Sequence, residues 1–259
     1  MSQISGYTTQ RRLYIGCAGW NLSRALLPEI IAEGSQLAKY ASVFRAVEIN
    51  SSFHRSHRAS TYERWAATVP ASFRFSVKCP KTITHEKRLT DCADLTARFL
   101  DEVAGLGDKL GAILVQLPPS LELDVDVARV FLEWMRARYS GDVFIEPRHR
   151  TWFSPAATKL MYDLRIGRVA ADPAVVPAAA EPGGVTGHVY FRLHGSPQVY
   201  FSSYTTSYLD GLAFRLRMHA RAGDTVWCIF DNTIQGAAAS NALVVARKVD
   251  LGEKAASVR

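Results

Sequence analysis

Most residues of this chain that could do chemistry stand at or just after the ends of short hydrophobic runs. The acidic residues in such positions are Glu48, Glu146 and Asp231, and the basic and amide residues are Lys78, Arg148, Arg192, His194, Asn50 and Gln116. A pair of carboxylates can divide general acid and base roles when different surroundings separate their pKa values. Lysine and arginine cations bind phosphate and carboxylate groups. The residue types therefore predict acid/base chemistry on an anionic compound.

We predict three catalytic residues, Glu48, Glu146 and His194, since carboxylates and imidazole exchange protons in suitably tuned sites. The predicted ligand contacts are Trp20, Asn50, Lys78, Gln116, Arg148, Trp152, Arg192, Tyr204 and Asp231. Lys78 could also serve as a base or as an imine-forming amine, but carboxylate neighbours would keep it protonated, which favours charge stabilisation. Each charged residue has a structural alternative, an ion pair that neutralises the interior, and each aromatic residue has the alternative of loop packing.

Eight β-like runs carry these residues and alternate with helix-like stretches, the first of them at residues 28–40. The runs are residues 13–17, 46–50, 73–78, 111–117, 142–146, 168–172, 188–194 and 225–230. Eight strands with crossover helices in about 250 residues favour a closed barrel over an open sheet. Pro173, Pro177 and Pro182 crowd the stretch that should hold the sixth helix. We therefore predict an α/β fold, a single-domain (β/α)8 TIM barrel with an irregular stretch around the sixth βα unit.

The alternation of side chains along the runs indicates which residues face the barrel axis. Val47 and Ile49 suit the helix-facing side of the second run, which turns Glu48 and Asn50 toward the axis. The same rule places on the axis Ser76, Lys78, Leu114, Gln116, Phe144, Glu146, Arg148, Asp172, Tyr190, Arg192, His194, Trp227, Ile229 and Asp231. Barrel enzymes build their active sites at the carboxyl ends of the strands, so we expect a polar pocket there.

Composition excludes several classes of protein. The 259 residues are 48% hydrophobic, 10% aromatic and 21% charged, which is typical of a globular chain rather than a disordered or collagen-like one. No apolar run approaches a spanning length and no secretory signal is evident, so we expect a cytoplasmic protein without a membrane partner. The four cysteines have no CxxC pair, which favours reduced thiols over a zinc site or a disulfide framework. The net charge of +7 favours an anionic partner, either a small molecule or nucleic acid.

Several sequence blocks, in order along the chain, resemble the YecE-like family, the domain of unknown function numbered seventy-two. The blocks are GCAGW at 16–20, FRAVEINSSFHR at 44–55, FRFSVKCP at 73–80 with ITH at 83–85, LGAILVQLPP at 110–119, EPRH at 146–149 with Trp152, YFRLHG at 190–195 and FDN at 230–232. The resemblance implies a TIM barrel and brings no established reaction. Pro147, His54 and Asp231 depart from the family pattern, which usually has an aromatic residue, tyrosine and asparagine there. Since proline lacks a donor, Pro147 could end the fifth strand early and redirect Arg148.

We expect one barrel domain over residues 12–259 and a mobile arm over residues 1–11. The leading hypothesis is an enzyme, or an enzyme-derived barrel, that binds a phosphate-containing ligand at the carboxyl ends of the strands, with acid/base or phosphoester chemistry. Two alternatives stay open: a nucleic-acid-binding barrel without catalysis, and a structural or regulatory barrel with a self-neutralised axis. No metal ligands are assigned, and the residue types suit at most a single Mg²⁺ or Mn²⁺ held by oxygen atoms.

Overall fold

Ten strands form one sheet in the part of the chain that the structure, a computed structural model, describes: residues 12–22 and 33–257. The strands are β1 (Leu13–Ala18), β2 (Ala46–Ile49), β3 (Arg74–Lys78), β4 (Leu110–Gln116), β5 (Asp142–Glu146), β6 (Gly167–Arg168), β7 (Ala170–Asp172), β8 (Gly183–Gly184), β9 (His188–Leu193) and β10 (Thr225–Phe230). Every run predicted as a strand lies within one residue of observed strand bounds, and the sixth run is divided into β6 and β7.

The sheet closes on itself at the sixth strand position. The strand order is β7-β9-β10-β1-β2-β3-β4-β5-β6-β8. β6 pairs in parallel with β5, and β7 pairs in parallel with β9. Between them, Val169 donates its N–H to the Ile145 carbonyl at 2.9 Å. The segment 167–172 therefore joins the two edges of the sheet, while β8 adds an antiparallel pair to β6. This arrangement confirms the (β/α)8 TIM-barrel prediction and the irregularity of the sixth unit.

Helices on the outer face connect the strands. They are α1 (Gln36–Ala41), α2 (Ala59–Thr68), α3 (Ala93–Val103), α4 (Val125–Arg138), α5 (Pro155–Asp163), α6 (Thr206–Arg221) and α7 (Ala237–Ser257). Side-chain oxygens of Ser35, Asp124, Ser154 and Thr205 accept backbone N–H bonds at the starts of α1, α4, α5 and α6. In the sixth unit a 3-10 turn, Pro177–Ala180, stands in place of a helix, because proline cannot donate the helical hydrogen bond. Among the described residues, no helix combines the length and the apolar character needed to cross a bilayer.

Two predicted helices can be compared with the structure only in part. The first helix was predicted at residues 28–40, and the observed helix α1 begins at Gln36. Residues 28–32 lie outside the described residues, as does the arm predicted at residues 1–11. A crossover helix was expected after β9, but the sequence did not define its bounds; the structure places α6 there.

The apolar core has two parts, one on each face of the sheet. The outer part lies between the strands and the helices. The inner part consists of Ala46, Ala112, Leu114, Phe144, Val169, Tyr190, Trp227 and Ile229. Five of the residues expected on the axis belong to it, which confirms the alternation along β4, β5, β9 and β10. Gly111 leaves space for the indole of Trp227, since a Cβ at Gly111 would lie 2.6 Å from that ring.

Asp172 does not face the axis. Asp172 is paired with Leu193, a residue of the outer core, where β7 meets β9. The Asp172 carboxylate accepts a hydrogen bond from the Tyr204 hydroxyl at 2.8 Å. Val169 is in the inner core, so alternation places Asp172 on the helix side. The axial prediction for Asp172 is wrong, because the short run before it has no polar and apolar alternation from which its face could be read.

Candidate functional site

Arg192, on β9, is the centre of a buried charged cluster at the carboxyl ends of the strands. Its guanidinium donates to both oxygens of Glu48 on β2, from Nε at 3.0 Å and from Nη2 at 2.7 Å. Nη1 donates to Glu146 on β5 at 3.1 Å, and Nη2 lies 2.9 Å from Asp231 Oδ2. Arg192, Glu48 and Glu146 are all fully buried. The two predicted catalytic carboxylates are therefore separated by a guanidinium group that binds both.

Tyr190 and Ser76 complete the surroundings of Glu48. The Tyr190 hydroxyl lies 2.9 Å from Glu48 Oε2 and 3.0 Å from Ser76 Oγ. Burial raises the pKa of Tyr190 well above its usual value, so the phenol remains a hydrogen-bond donor. Both Glu48 oxygens thus accept hydrogen bonds within the protein, and the residue holds Arg192 in place.

Both oxygens of Glu146 are also saturated with donors. Oε1 lies 2.6 Å from Arg148 Nη2 and 2.7 Å from His194 Nε2. Oε2 accepts hydrogen bonds at 3.1 Å from Arg192 Nη1 and from Gln116 Nε2. Burial by itself would raise the pKa of Glu146, but the Arg148 and Arg192 charges outweigh burial and hold this pKa well below its usual range. Glu146 is therefore ionised at neutral pH, which suits a charge partner better than a general acid.

His194 joins two carboxylates of the cluster. Its Nε2 lies 2.7 Å from Glu146 Oε1, and its Nδ1 lies 3.0 Å from Asp231 Oδ2. Arg148 Nη2 lies 2.6 Å from the same Nε2. Burial would raise the pKa of Asp231, but the charge of Arg192 and the hydrogen bond from His194 lower it below its usual value.

Lys78, the last residue of β3, is a buried cation of the cluster without a carboxylate partner. Its side chain packs so that Nζ lies 4.2 Å from the centre of the Phe53 ring, and the residue is 6% exposed. Among the described residues, no carboxylate oxygen lies within 4.0 Å of Nζ. Burial and the charge of Arg192 lower the pKa of Lys78 to about 8 from its usual 10.5. The charges of Glu48, Asp231 and Glu146 partly offset this lowering, so the protonated form still predominates at pH 7, although the ion pairs of these carboxylates are made with other cations.

Arg148 and Asn50 carry polar atoms without partners at the same end of the barrel. β5 ends at Glu146, before Pro147, yet the Arg148 guanidinium turns inward to contact Glu146 and His194. Arg148 Nε and Asn50 Oδ1 are buried and have no hydrogen-bond partner. A buried polar atom without a partner costs about 1–3 kcal/mol. A ligand with polar groups would supply these partners.

The cluster is formally neutral when the His194 ring is neutral. Its carboxylates and its lysine and arginine cations are equal in number: Glu48, Glu146 and Asp231 against Lys78, Arg148 and Arg192. Protonation of His194 gives the cluster a single positive charge. The arrangement can therefore hold an anion without leaving a large excess of buried charge in its absence.

Three aromatic residues predicted as ligand contacts have partners within the protein. Trp152 is 1% exposed, and its Nε1 donates to a backbone carbonyl at 2.9 Å. The Tyr204 hydroxyl binds Asp172, and Trp20 packs edge-on against Trp65 of α2 with ring centres 5.1 Å apart. These contacts correspond to the loop-packing alternative, since each ring already has protein neighbours.

Two residues of the site, Phe53 and His85, were not assigned from the sequence. Phe53 lies against the Lys78 ammonium, and the His85 ring packs edge-on against Phe53 with centres 5.0 Å apart. Burial, followed by the charge of Lys78, lowers the pKa of His85. Both residues lie in the sequence blocks that resemble the family, so those blocks were the feature of the sequence that could have identified them. Strand alternation could not find them, because both follow the ends of their strands.

The described residues contain no group of three or more His, Cys, Asp or Glu side chains able to hold a metal ion. The carboxylates that could have held a single Mg²⁺ or Mn²⁺ are bound by Arg192, Arg148 and His194. This donor set does not fit a divalent cation, so no chemical step is assigned to one.

Fold and cluster together define a TIM-barrel protein with a charged interior at the carboxyl ends of its strands. The family described as "Protein of unknown function DUF72" matches residues 14–259, and the chain belongs to this family. The resemblance to the YecE-like family is thereby confirmed.

Two curated relatives are similar in sequence to about half of this chain. It is 29% identical over 151 residues to the UPF0759 protein YunF of Bacillus subtilis (strain 168), which covers 55% of this chain and 53% of the relative. It is 28% identical over 144 residues to the UPF0759 protein YecE of Escherichia coli (strain K12), covering 55% and 50%. The matched segment thus spans about half the length of these curated relatives.

Two crystal structures of DUF72 family proteins superpose on nearly the whole chain. The protein from Enterococcus faecalis V583 gives a TM-score of 0.76 at 22% identity, with 92% of this chain and 95% of that chain covered. The protein from Thermotoga maritima MSB8 gives a TM-score of 0.75 at 24% identity, with 92% and 99% covered. At these identities the likeness shows the fold alone.

Proposed function

We propose that this protein binds a small phosphate-containing anion at the carboxyl ends of the barrel strands, as an enzyme of acid/base or phosphoester chemistry. The observation that carries the proposal is Lys78, a buried cation with no carboxylate within 4.0 Å among the described residues. A buried charge without a partner is costly, so a protein that keeps one is expected to use it.

The rest of the cluster supports an anion rather than a cation as the ligand. Each of the three carboxylates already forms an ion pair with Arg192 or Arg148, which reduces its attraction for a metal or an amine. Arg148 Nε remains a donor without an acceptor. A phosphate oxygen would accept from Lys78 and from such a guanidinium donor.

Lys78 is also suited to exchange a proton near neutral pH. Its pKa of about 8 lies close to the working range of a general acid or base. The assignment of Glu48, Glu146 and His194 as acid/base residues stays a prediction. Within the cluster the two glutamates are engaged by arginine, so we expect them to orient the cations that meet the ligand.

The test is isothermal titration of the protein with inorganic phosphate and with small sugar phosphates. We expect the wild type to bind and Lys78→Met to bind about tenfold or more weakly, because a charge-assisted hydrogen bond is lost. Lys159→Met is the matched control: it removes the same charge from an exposed lysine of α5 that pairs with Asp163. A wild type that binds none of these anions would contradict the proposal, as would equal weakening in both variants.

A further inference from the structure

We propose that Lys78 forms an imine with an aldehyde or ketone carbonyl of the anionic ligand. This inference rests on the proposed function and names its substrate class: a small carbonyl compound that carries a phosphate or a carboxylate. The position of the amine, its neighbours and its contrast with the other lysines carry it.

The first support is the position of the amine. Lys78 ends β3 on the axial side, and the residue is 6% exposed. Its backbone is held firmly, because the Ser52 hydroxyl donates to the Lys78 carbonyl at 2.6 Å and the Cys79 N–H donates to the Leu114 carbonyl at 2.8 Å. A side chain based on a fixed strand end is presented in one direction, as a nucleophile requires.

The second support is the surroundings of the amine. An imine-forming lysine must lose its proton, and a lysine does so when it is desolvated or lies near another cation. Both conditions are met, by burial of the side chain and by the charge of Arg192. The Phe53 ring, 4.2 Å from Nζ, and the nearby carboxylates favour the protonated form, but they do not cancel the lowering of the pKa. With a pKa of about 8, about one tenth of the amine is neutral at pH 7.

The third support is the contrast with other lysines of the chain. Lys81, Lys159 and Lys248 each lie within ion-pair distance of a carboxylate. Lys109 donates to two backbone carbonyls at 2.5 Å. These amines are occupied, whereas Lys78 is buried and has neither kind of partner in the described part of the chain.

The reaction balances without an oxidant, a reductant or a metal. The lone pair of Lys78 Nζ attacks the carbonyl carbon, a C–N bond forms, and the carbonyl oxygen becomes the hydroxyl of a carbinolamine. The C–O bond then breaks, and the oxygen leaves as water with the two hydrogens that the neutral amine carried. A C=N bond to Nζ remains. Arg148 would hold the phosphate or carboxylate of the ligand through its unpartnered Nε.

The experiment traps the imine in the wild-type protein. The protein is incubated separately with glycolaldehyde phosphate, glyoxylate and glycolaldehyde, reduced with cyanoborohydride and digested. Alkylation of Lys78 and of the exposed Lys159 is then measured by mass spectrometry of the peptides. We expect Lys78 to exceed Lys159 by about tenfold, with the anionic aldehydes ahead of neutral glycolaldehyde. Comparison of the two anionic probes distinguishes a phosphate from a carboxylate substrate.

Three further readings make the result decisive. Labelling of Lys78 is expected to reach half its maximum near pH 8 and to fall when inorganic phosphate competes. The Arg148→Gln variant is expected to reduce labelling by the anionic aldehydes more than labelling by glycolaldehyde. If phosphate binds but Lys78 is labelled no more than Lys159, the imine proposal is wrong and the proposed function stands. If phosphate does not bind and Lys78 is not selectively labelled, both are wrong.

Discussion

At the scale of single residues, Arg192 satisfies the buried carboxylates and thereby leaves Lys78 unpaired. One guanidinium contacts Glu48, Glu146 and Asp231 inside the barrel. Charges placed so deeply are stable in pairs and costly alone. The same arrangement therefore stabilises the fold and leaves one cation for a ligand.

Replacing Arg192 by methionine is expected to lower the free energy of unfolding by about 3–5 kcal/mol, because it leaves buried carboxylates without their main partner. Urea unfolding of the wild type and the variant measures the difference. Arg129→Met is the control, since Arg129 pairs with Glu133 at 3.8 Å on an exposed face of α4 and is expected to change stability by at most about 1 kcal/mol. Similar losses in the two variants would show that the cluster does not stabilise the fold.

Replacing Lys78 by methionine is expected to stabilise the protein at pH 7. The pKa of Lys78 is about 8 when folded and 10.5 ordinarily, so folding disfavours the protonated form. The stability of the wild type should therefore rise relative to Lys78→Met as the pH increases from about 8 to 10.5, by about 3 kcal/mol in all.

Urea unfolding of both proteins at several pH values measures this difference, and other titrating groups cancel in the comparison. A stability gap between wild type and Lys78→Met that stays constant over this pH range would mean that Lys78 is ordinarily solvated. It would also remove the main observation behind the proposed function.

The alternation of side chains along a strand predicts which face of the sheet a residue lies on, but not which residue it contacts. Alternation correctly placed Glu48, Lys78, Glu146 and Arg192 inside the barrel, because a strand has two faces and apolar residues mark the outer one. It could not indicate which cation each carboxylate binds, since pairing depends on distances between strands. The sequence therefore left Lys78, Arg148 and Arg192 all open as partners of the carboxylates, and the observed ion pairs are with the two arginines.

At the scale of elements, the seam between β1 and β2 illustrates how closely the barrel strands are fitted. The Tyr40 hydroxyl of α1 donates to the Ala46 carbonyl at 2.8 Å and accepts from the Cys17 N–H at 2.8 Å. A Cβ at Gly16 would collide with the Ala46 carbonyl and lie 2.8 Å from that hydroxyl. The seam therefore depends on the absence of a side chain at Gly16.

Gly16→Ala is expected to destabilise the protein by about 2 kcal/mol or more, because overpacking moves β1 away from β2. Gly211→Ala is the matched control: nothing lies within 4 Å of its added Cβ, in the middle of α6. Alanine in a helix interior is expected to add about 0.5–1 kcal/mol of stability. Thermal unfolding of both variants should shift in opposite directions, and equal shifts would contradict this description of the seam.

The elements that the sequence predicted well are those with a strong local pattern. β4, β5 and β10 each contain three or more consecutive apolar residues and were predicted within one residue. The sixth strand carries small residues, and neither its division into β6 and β7 nor the outward direction of Asp172 leaves a local signal. Hydrogen bonds to β5 and β9 determine both, and those partners lie far away in the sequence.

At the scale of the whole molecule, the net charge of +7 does not arise from the cluster, which is neutral when His194 is neutral. The excess positive charge lies on other parts of the chain, where it attracts anions over a distance that salt shortens. Binding of nucleic acid through such surface charges would weaken steeply as salt increases. Binding of a small anion to the buried Lys78 would depend much less on salt.

The most direct test of the anion-binding account is thermal unfolding against a ligand panel at two salt concentrations. The panel contains inorganic phosphate, small sugar phosphates, nucleotides and short oligonucleotides. A ligand at about 100 times its Kd adds about 2.7 kcal/mol and raises the Tm by several degrees in a chain of this size. The account predicts that a small phosphate compound raises the Tm at both salt concentrations, and that Lys78→Met abolishes the rise. A rise with oligonucleotides alone that disappears at high salt, or no rise with any compound, would contradict it.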